Sequence, residues 1–352
     1  MKKTDGRFLV GRRGVLKGMA AGAATLAAPA IVRAQSAGTV VVGTWGGDYA
    51  RLLNKNIDEP YLIPEGWEVI QEQAGDPERR AKMLAERRLP RGSTDVQGLN
   101  GPNMYQVYEL GLTAPIEYDK IPNSKNLLPS MKYEYGVGHI YSAKVPVYNP
   151  DVIDTPPMSY AEALNPDWGD KLGIIDIQYQ YTIVAASLAA GGGVTDVEGG
   201  KKLLMELRKA GARIYPTNEA FAIGMKQEEI GTGIMWKART VQWQNADINV
   251  QATWPSEGGL AYVSGFVVPK NAPHPDGANA WLNAMLEPGA QENFAKDMGY
   301  NPTVTNADIP PALNKRIGFT PEEIEQLRTL DYGFMLENDV ALKDWWDKEF
   351  KA

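Results

Sequence analysis

The stretch GLAYVSGFVVP, residues 259–269, is an extended segment of β-branched and aromatic side chains with no helical pattern between its halves. A second stretch of this kind, HIYSAKVPVY, occupies residues 139–148. Around them, short apolar runs alternate with longer amphipathic stretches: a predicted strand at 39–42, a helix at 49–57 and a strand at 67–71. This alternation predicts α/β layers, which the two extended segments interrupt.

The same alternation continues through the second half of the chain. A strand predicted at 172–177 precedes a helix at 181–190, which the following glycines end. Another strand is predicted at 231–236, and two further helices at 276–286 and 288–298. We therefore expect α/β units on both sides of the extended segments.

The beginning of the chain has a different composition. Basic residues precede a mildly apolar run at 18–32, and an A-x-A-like site ends at Ala34. These features predict an export signal over residues 1–34 that is cleaved near Ala34. The stretch GRRGVLK, residues 11–17, is similar to a twin-arginine motif, and a Sec signal stays the alternative. Either route predicts a location in the bacterial periplasm.

The overall composition excludes several classes of partner and site. The formal net charge is -7 and the predicted signal is basic, so the mature part is more acidic still. Nucleic acid and anionic membrane surfaces are therefore poor partners. Cysteine is absent, which excludes disulfides and thiolate metal sites. The two histidines, His139 and His274, form no H-x-x-x-H pair, and His274 is predicted to be a solvent-facing loop residue. We expect no metal and no cofactor.

The motifs of common enzyme classes are missing from the sequence. No G-x-S-x-G elbow, no Walker phosphate loop and no G-x-G-x-x-G loop after a strand occurs. The carboxylate pairs Glu228/Glu229 and Glu322/Glu323 lie in charged helices, where a solvated face explains them better than a glycosidase pair does. We therefore predict no catalytic residue and no enzymatic activity, with a periplasmic enzyme as a remote alternative.

Several aromatic residues stand where predicted strands end. The chain has nine Trp and 16 Tyr residues. Those at strand ends are Trp45, Trp236, Trp254, Tyr262 and Tyr300. Ligands of α/β proteins bind at the carboxyl ends of strands, and aromatic walls with a few polar groups hold small organic molecules. Each ring could instead be a core residue with a polar tip. Together they indicate a ligand cleft.

Residues 233–303 carry a set of ordered motifs. These are GIMWKARTVQWQ, then W-P-S-E-G-G at 254–259, V-P-K-N-A at 268–272, P-G-A-Q at 288–291 and G-Y-N-P at 299–302. In this order and spacing, the chain resembles the periplasmic solute-binding proteins of ABC importers, in particular the spermidine/putrescine-binding type. The stretches TWGGDY at 44–49 and WGDKL at 168–172 fit the same alignment.

The resemblance implies a two-lobed periplasmic-binding-protein fold of type II with two extended crossover hinges. Lobe 1 would comprise residues 36–143 plus 265–304, and lobe 2 residues 144–264 plus 305–352. Such a protein captures a solute by hinge closure, because only the closed form lets both lobes contact the ligand. It implies a monomer that delivers its solute to the permease subunits of an ABC transporter in the inner membrane.

The resemblance also implies positions for the site. Its aromatic positions fall on Trp45, Trp236, Tyr262 and Tyr300, whereas its ammonium-binding acids fall on Ser264 and near Ile177 and Gln180. From its place directly after the strand that ends at Trp236, Arg239 would hold a carboxylate or else belong to a solvated helix start, and Glu337 could supply a carboxylate of its own. Gly46 and Gly47 would let backbone N–H groups approach the ligand, and Asp48 either grips an amine or caps its helix, the cap being favoured. The predicted ligand-binding residues are Trp45, Gly46, Gly47, Asp48, Asn100, Gln180, Trp236, Arg239, Tyr262, Ser264, Tyr300 and Glu337.

The expected ligand follows from the charges that this site keeps. A cation without several carboxylates loses its hydration with little return, which disfavours spermidine. We expect a small organic amine or an amino-acid-like, polyamine-related solute. The alternatives are an organic anion, an opine-like sugar conjugate or a metal complex. Iron, with Tyr179 and Tyr181 as phenolates, is a weaker option.

Overall fold

The computed structural model describes residues 36–352, and the predicted export signal with its cleavage site lies outside these residues. The strands of the described part are β1 (Gly38–Thr44), β2 (Trp67–Gln73), β3 (Val96–Asn100), β4 (Lys132–Tyr133), β5 (Gly136–Tyr148), β6 (Leu172–Ile175), β7 (Arg213–Tyr215), β8 (Thr232–Trp236), β9 (Gln251–Ala252), β10 (Leu260–Val267) and β11 (Asn301–Pro302).

Helices separate most of these strands. They are α1 (Asp48–Leu53), α2 (Asp76–Glu86), α3 (Gly101–Glu109), α4 (Tyr160–Ala163), α5 (Tyr179–Ala189), α6 (Val197–Ala210), α7 (Asn218–Lys226), α8 (Lys237–Asn245), α9 (Pro275–Met285), α10 (Pro288–Met298), α11 (Pro311–Ile317), α12 (Pro321–Glu325) and α13 (Tyr332–Trp345). Within residues 36–352, no helix combines the length and the apolar composition that a membrane span requires.

The strands form one sheet whose two ends are parallel and whose middle is antiparallel. Its order is β2-β1-β3-β10-β5-β8-β6-β7, and β4, β9 and β11 also pair with β5. At one end β1 pairs in parallel with β2 and β3; at the other, β6 pairs in parallel with β7 and β8. The long strands β5 and β10 join these ends and run antiparallel to their neighbours. They are the two extended segments of the sequence.

Two separate hydrophobic cores lie on this sheet. The first contains Val40, Leu99, Phe266, Trp281 and Phe294 among its buried residues. The second contains Ile174, Phe221, Met235, Trp346 and Phe350. Strand β5 contributes to both cores, since Val137 and Ile140 belong to the first and Val147 to the second. The α/β layering is confirmed, while the exact lobe boundaries stay a prediction.

Strand β10 has an irregularity in its pairing between Ser264 and Gly265. At Gly265 the neighbouring strand approaches so closely that a Cβ atom would lie 2.3 Å from the carbonyl oxygen of Val137. Because the obstacle is backbone, no side-chain movement could make room for it. Glycine is therefore required where this crossover strand passes β5.

The structure corrects several local predictions near the strand ends. The helix predicted at 49–57 is α1 followed by a π-helical segment, Asn54–Leu62, which contains Pro60. The strand predicted at 172–177 ends at Ile175, and a 3₁₀ turn, Asp176–Gln178, leads into α5.

His274 lies in a loop, as the sequence predicts, but it does not face solvent freely. The side chain is only partly exposed, and its Nδ1 lies 3.0 Å from Oδ2 of the buried Asp95. The His274 backbone N–H also donates to Asp95 Oδ1 at 2.6 Å. A loop between two prolines is thus anchored to the first core, which the local sequence does not reveal.

Candidate ligand-binding cleft

A cavity of about 530 Å³ takes its walls from elements of both cores. Its lining residues are Trp45, Gly46, Gly47, Asp48, Tyr49, Asn100, Ile140, Ile177, Gln178, Asn218, Glu219, Trp236, Arg239, Tyr262, Met298 and Tyr300. A volume of this size accommodates a small organic molecule. Most of the lining residues lie at or just after the carboxyl ends of strands, where α/β proteins bind ligands.

One wall is a continuous group of aromatic rings from the second core, the crossover strand β10 and Tyr300 of the first core. The ring of Trp236 lies 4.4 Å from that of Tyr262, which lies 5.9 Å from that of Tyr300. Tyr181 packs edge-on against Trp236 from behind, at 4.7 Å. Burial raises the pKa of Tyr300, so its hydroxyl stays protonated and available as a hydrogen-bond donor.

The opposite wall belongs to the first core. Trp45 follows β1 and packs edge-on against Tyr49 at 5.2 Å. Tyr49 Oη lies 2.9 Å from Nδ1 of the buried His139 on β5. Burial lowers the pKa of His139 to about 3, so this imidazole is neutral at physiological pH.

The guanidinium of Arg239 lies in the first turn of α8, directly after the aromatic end of β8. Its Nη1 donates to Gln242 Oε1 at 2.9 Å and lies 3.6 Å from Glu219 Oε1. Its Nε is buried without a hydrogen-bond partner. A buried N–H group that lacks a partner costs stability, so the Arg239 side chain keeps one donor that no acceptor of the described residues uses.

Comparison with known proteins identifies the family to which this chain belongs. The sequence model described as "Bacterial extracellular solute-binding protein" matches residues 60–321. The chain belongs to this family. It is similar to the spermidine/putrescine-binding periplasmic protein of Salmonella typhimurium, with 25% identity over 212 residues, and to that of Escherichia coli K12, with 24%. Each alignment covers 56% of this chain and 61% of the curated relative, less than two thirds of its length.

Solved structures of solute-binding proteins share the fold. A protein from A. tumefaciens R10, AgtB in complex with agropinic acid, aligns with a TM-score of 0.75 at 21% identity, covering 90% of this chain and 100% of that one. A putative spermidine/putrescine ABC transporter from Listeria monocytogenes gives 0.73 at 19% identity, with 89% and 98% covered. The two-lobed periplasmic-binding-protein fold predicted from the sequence is confirmed, with β5 and β10 as its crossovers.

The structure places nine of the predicted binding residues around this cavity of the solute-binding protein. They are Trp45, Gly46, Gly47, Asp48, Asn100, Trp236, Arg239, Tyr262 and Tyr300. Gly47 has a φ of 68°, a left-handed value that glycine adopts without strain, and it forms the cap of α1. Their role in binding stays a prediction.

The helix-capping prediction for Asp48 is wrong. Helix α1 begins at Asp48 itself, the cap is Gly47, and no side chain bonds to the free N–H groups of the helix. The Asp48 carboxylate instead pairs with Arg51 at 3.0 Å, and the side chain is 77% exposed. The carboxylate stands at the rim of the cavity, where solvent screens it.

Three predicted residues are not among those that line the cavity. Gln180 is turned to α13, where its Nε2 donates to Asp339 Oδ1 at 2.6 Å. Ser264 is fully buried and donates to the carbonyl of Leu99 at 3.3 Å. Glu337 is exposed on α13. Each belongs to the right region, but the neighbouring structure directs its side chain elsewhere.

Sequence reasoning missed four polar or aromatic lining residues, Tyr49, Gln178, Asn218 and Glu219. Gln178 lies two positions before the predicted Gln180, since β6 ends earlier than predicted. Asn218 and Glu219 begin α7 just after β7, so the strand-end rule applied to that short strand would have found them.

Metal binding gains no support from the part of the chain that the structure describes. Residues 36–352 contain no group of three or more His, Asp or Glu side chains that could hold an ion. Tyr179 donates to Asp339, and Tyr181 is buried behind Trp236. Neither phenol is among the residues that line the cavity.

Proposed function

We propose that this protein is the extracytoplasmic solute-binding component of an ABC importer, and that its cleft captures a small amino-acid-like solute with an amine and a carboxylate. The family supports solute binding. Hinge closure of the two lobes, a periplasmic location, a monomeric state and delivery to permease subunits are parts of the same proposal. No observation on the described residues calls for catalysis.

The buried, unpartnered Nε of Arg239 carries the carboxylate half of this proposal. A carboxylate accepts hydrogen bonds from guanidinium with a geometry that fits two parallel N–H groups. The competing partner, Glu219, is 71% exposed and 3.6 Å away, so it can turn into solvent at little cost. A ligand carboxylate would replace it in the drier part of the cavity.

The carboxylates of the lining support one ammonium group and not several. Asp48 and Glu219 are the acidic residues of the lining, and both are largely exposed. A polyamine with all its ammonium groups desolvated needs closer and drier partners than these. An amine at one end of the ligand can remain near the rim, where it keeps part of its hydration beside these exposed carboxylates.

The names of similar proteins agree with this range of ligands. Curated relatives are spermidine/putrescine-binding proteins, one structural neighbour is described as a GABA receptor, and another contains agropinic acid. The named ligands thus range from polyamines through an amino acid to an organic acid. A purely anionic solute is the second candidate, because Arg239 is the one side chain of the lining with a buried, unpartnered donor.

A ligand series of constant length tests the proposal. Succinate, 4-aminobutyrate and putrescine share a four-carbon chain and differ in their end groups, and opine-like conjugates extend the panel. We expect 4-aminobutyrate or an opine-like conjugate to raise the melting temperature, since a ligand at 100 times its Kd stabilises the folded state by about 2.7 kcal/mol. Arg239→Ala should abolish the shift.

A panel in which only diamines stabilise the protein would contradict the carboxylate assignment. If succinate gives the largest shift, the anionic alternative holds. Turnover of any compound in the panel would overturn the transport role in favour of an enzyme.

A further inference from the structure

Lys144 is a fully buried lysine on the crossover strand β5. Its Nζ donates to Gln178 Oε1 at 2.8 Å and to Thr182 Oγ1 at 3.0 Å, and lies 5.2 Å from the centre of the Trp236 ring. Both hydrogen-bond partners are neutral. A buried lysine without a carboxylate is costly, so its position calls for an explanation.

The contacts of Lys144 continue toward the cavity. Gln178, whose Oε1 accepts from Lys144, donates through Nε2 to Asn218 Oδ1 at 2.7 Å. Its Nε2 also lies 3.7 Å from Met235 Sδ, a weak acceptor. Gln178 and Asn218 both line the cavity. A chain of hydrogen bonds thus runs from the hinge strand to the cavity surface.

The direction of this chain fixes the orientation of both amides. A lysine amine presents N–H groups, so the amide of Gln178 turns its oxygen toward Lys144 and its NH₂ group toward Asn218. The oxygen of Asn218 is then occupied. What Asn218 has left for a ligand is its NH₂ group.

We propose that Lys144 is a positioning residue that fixes Asn218 as a hydrogen-bond donor, so that Asn218 and Arg239 together select a ligand with an acceptor oxygen, such as a carboxylate. This inference rests on the proposed function and names the residues that decide its specificity. Asn218 directly precedes Glu219, which pairs with Arg239, so the two donors stand in the same part of the cavity. An ammonium group between these two donors would gain no acceptor from either, and the guanidinium would repel it.

Burial lowers the pKa of Lys144 well below its usual range. The geometry does not depend on the extra proton, because a neutral amine still has two N–H bonds for Gln178 and Thr182. Lys144 therefore orients the chain as a donor in either protonation state.

A double-mutant cycle tests the inference, read by calorimetric titration with succinate, 4-aminobutyrate and putrescine. Lys144→Met keeps the length and bulk of the side chain but frees the amide of Gln178. We expect it to weaken binding of the carboxylate-bearing probes about tenfold, as does Asn218→Ala. The double variant should lose no more than Asn218→Ala alone, because Lys144 acts through Asn218.

Asn218→Asp is a second variant that does not depend on tolerance of a change at Lys144. Gln178 still donates to one oxygen of the new carboxylate, while the other faces the cavity as an acceptor. We expect succinate binding to weaken at least about tenfold and putrescine binding to improve. Lys237→Met is the matched control, since its Nζ donates to the Gly318 carbonyl and it is not among the residues that line the cavity. Its affinities should equal those of the wild type.

The outcomes separate the inference from the proposed function. If the losses of the two single variants multiply, or if Asn218→Asp leaves succinate binding unchanged, the role of Lys144 and Asn218 is refuted while solute binding stands. If putrescine binds the wild type more tightly than either carboxylate does, the selectivity assignment and the carboxylate half of the proposed function fail together, while solute binding stands. If no probe and no member of the wider panel binds, both proposals fall.

Discussion

Two tryptophans line the cleft, and each has a buried basic side chain against its ring, but these two side chains are held differently. The guanidinium of Arg79 lies 4.6 Å from the ring centre of Trp45, and the ammonium of Lys144 lies 5.2 Å from that of Trp236. Arg79 donates to the Ala74 carbonyl at 3.0 Å and to that of Gly98. Lys144 donates to side chains only.

The contacts behind Trp45 therefore support the structure, whereas those behind Trp236 also influence which ligand binds. The cation behind Trp45 is held mainly by two main-chain carbonyls, whose positions do not change with side-chain substitutions, and Gln97 Oε1 is its one side-chain acceptor at 3.3 Å. The wall of Trp236 is held by a network of side chains that reaches the ligand cavity, so each substitution in it changes what the cavity offers. A cation behind a ring also reduces the attraction of its open face for a second cation. The guanidinium of Arg79 therefore disfavours an ammonium group on the open face of Trp45.

The largest expected effect comes from removing the rings themselves. Trp236→Ala should lower the free energy of unfolding by about 3–5 kcal/mol, because this ring is almost fully buried among Tyr181, Tyr262 and Lys144. Trp45→Ala should cost clearly less, since Trp45 is partly exposed at the cleft. Urea titration measures both. Equal losses would show that the two walls are equally embedded.

Removing the cation behind Trp45 tests its structural role. Arg79→Met should lower the free energy of unfolding by about 3 kcal/mol, because buried acceptors at Ala74, Gly98 and Gln97 lose their donor. The matched control is Arg87→Met at the end of the same helix, where Nη1 donates to the Leu84 carbonyl at an exposed position; it should cost less than about 1 kcal/mol. A control that costs as much as Arg79→Met would contradict the assigned support.

His139, which contacts Tyr49 on the Trp45 side of the cleft, predicts a dependence of stability on pH. The pKa of His139 is lowered to about 3 by burial, below its unfolded value of about 6.5. The unfolded state therefore binds the proton first, so this contribution is complete above about pH 6.5 and is lost as the pH falls toward 3. The slope is at most about 1.4 kcal/mol per pH unit. His139→Asn should remove this part of the slope in denaturation curves at pH 7, 6 and 5; parallel curves for both proteins would refute it.

The smallest effect is expected at the rim. Asp48→Asn should change the free energy of unfolding by less than about 0.5 kcal/mol, since the ion pair with Arg51 is solvent-exposed. The binding of 4-aminobutyrate, measured by titration, should weaken less than threefold by the same screening. A loss of tenfold or more would make Asp48 the ammonium partner. The amine end of the ligand would then lie beside Trp45.

The sequence predicted those parts of the cleft that follow a clear strand. Trp45, Asn100 and Trp236 stand at the ends of β1, β3 and β8, where apolar runs give way to helices, and the rule of strand ends places them at one edge. Gln178 escaped because a 3₁₀ turn occupies residues that the apolar pattern assigned to a strand. A local sequence pattern does not locate the end of a strand to better than about two residues.

Long-range packing explains the remaining differences. Which way Glu337 points depends on how α13 rests on α5, and that packing includes the bonds from Tyr179 and Gln180 to Asp339. Nothing in the residues around Glu337 encodes it. The same holds for Asn218, whose place at the cavity depends on the pairing of the three-residue strand β7 with β6.

The glycine at the irregular point of β10 provides a marker for reading relatives of this chain. A Cβ atom at Gly265 would clash with the backbone of Val137. Any relative in which these two strands cross in the same way must therefore have glycine at the equivalent position. A chain with another residue there has a shifted register in its second crossover, and the positions around Tyr262 then no longer correspond. Glycine at position 265 thus identifies the relatives whose binding residues can be compared directly with those of this chain.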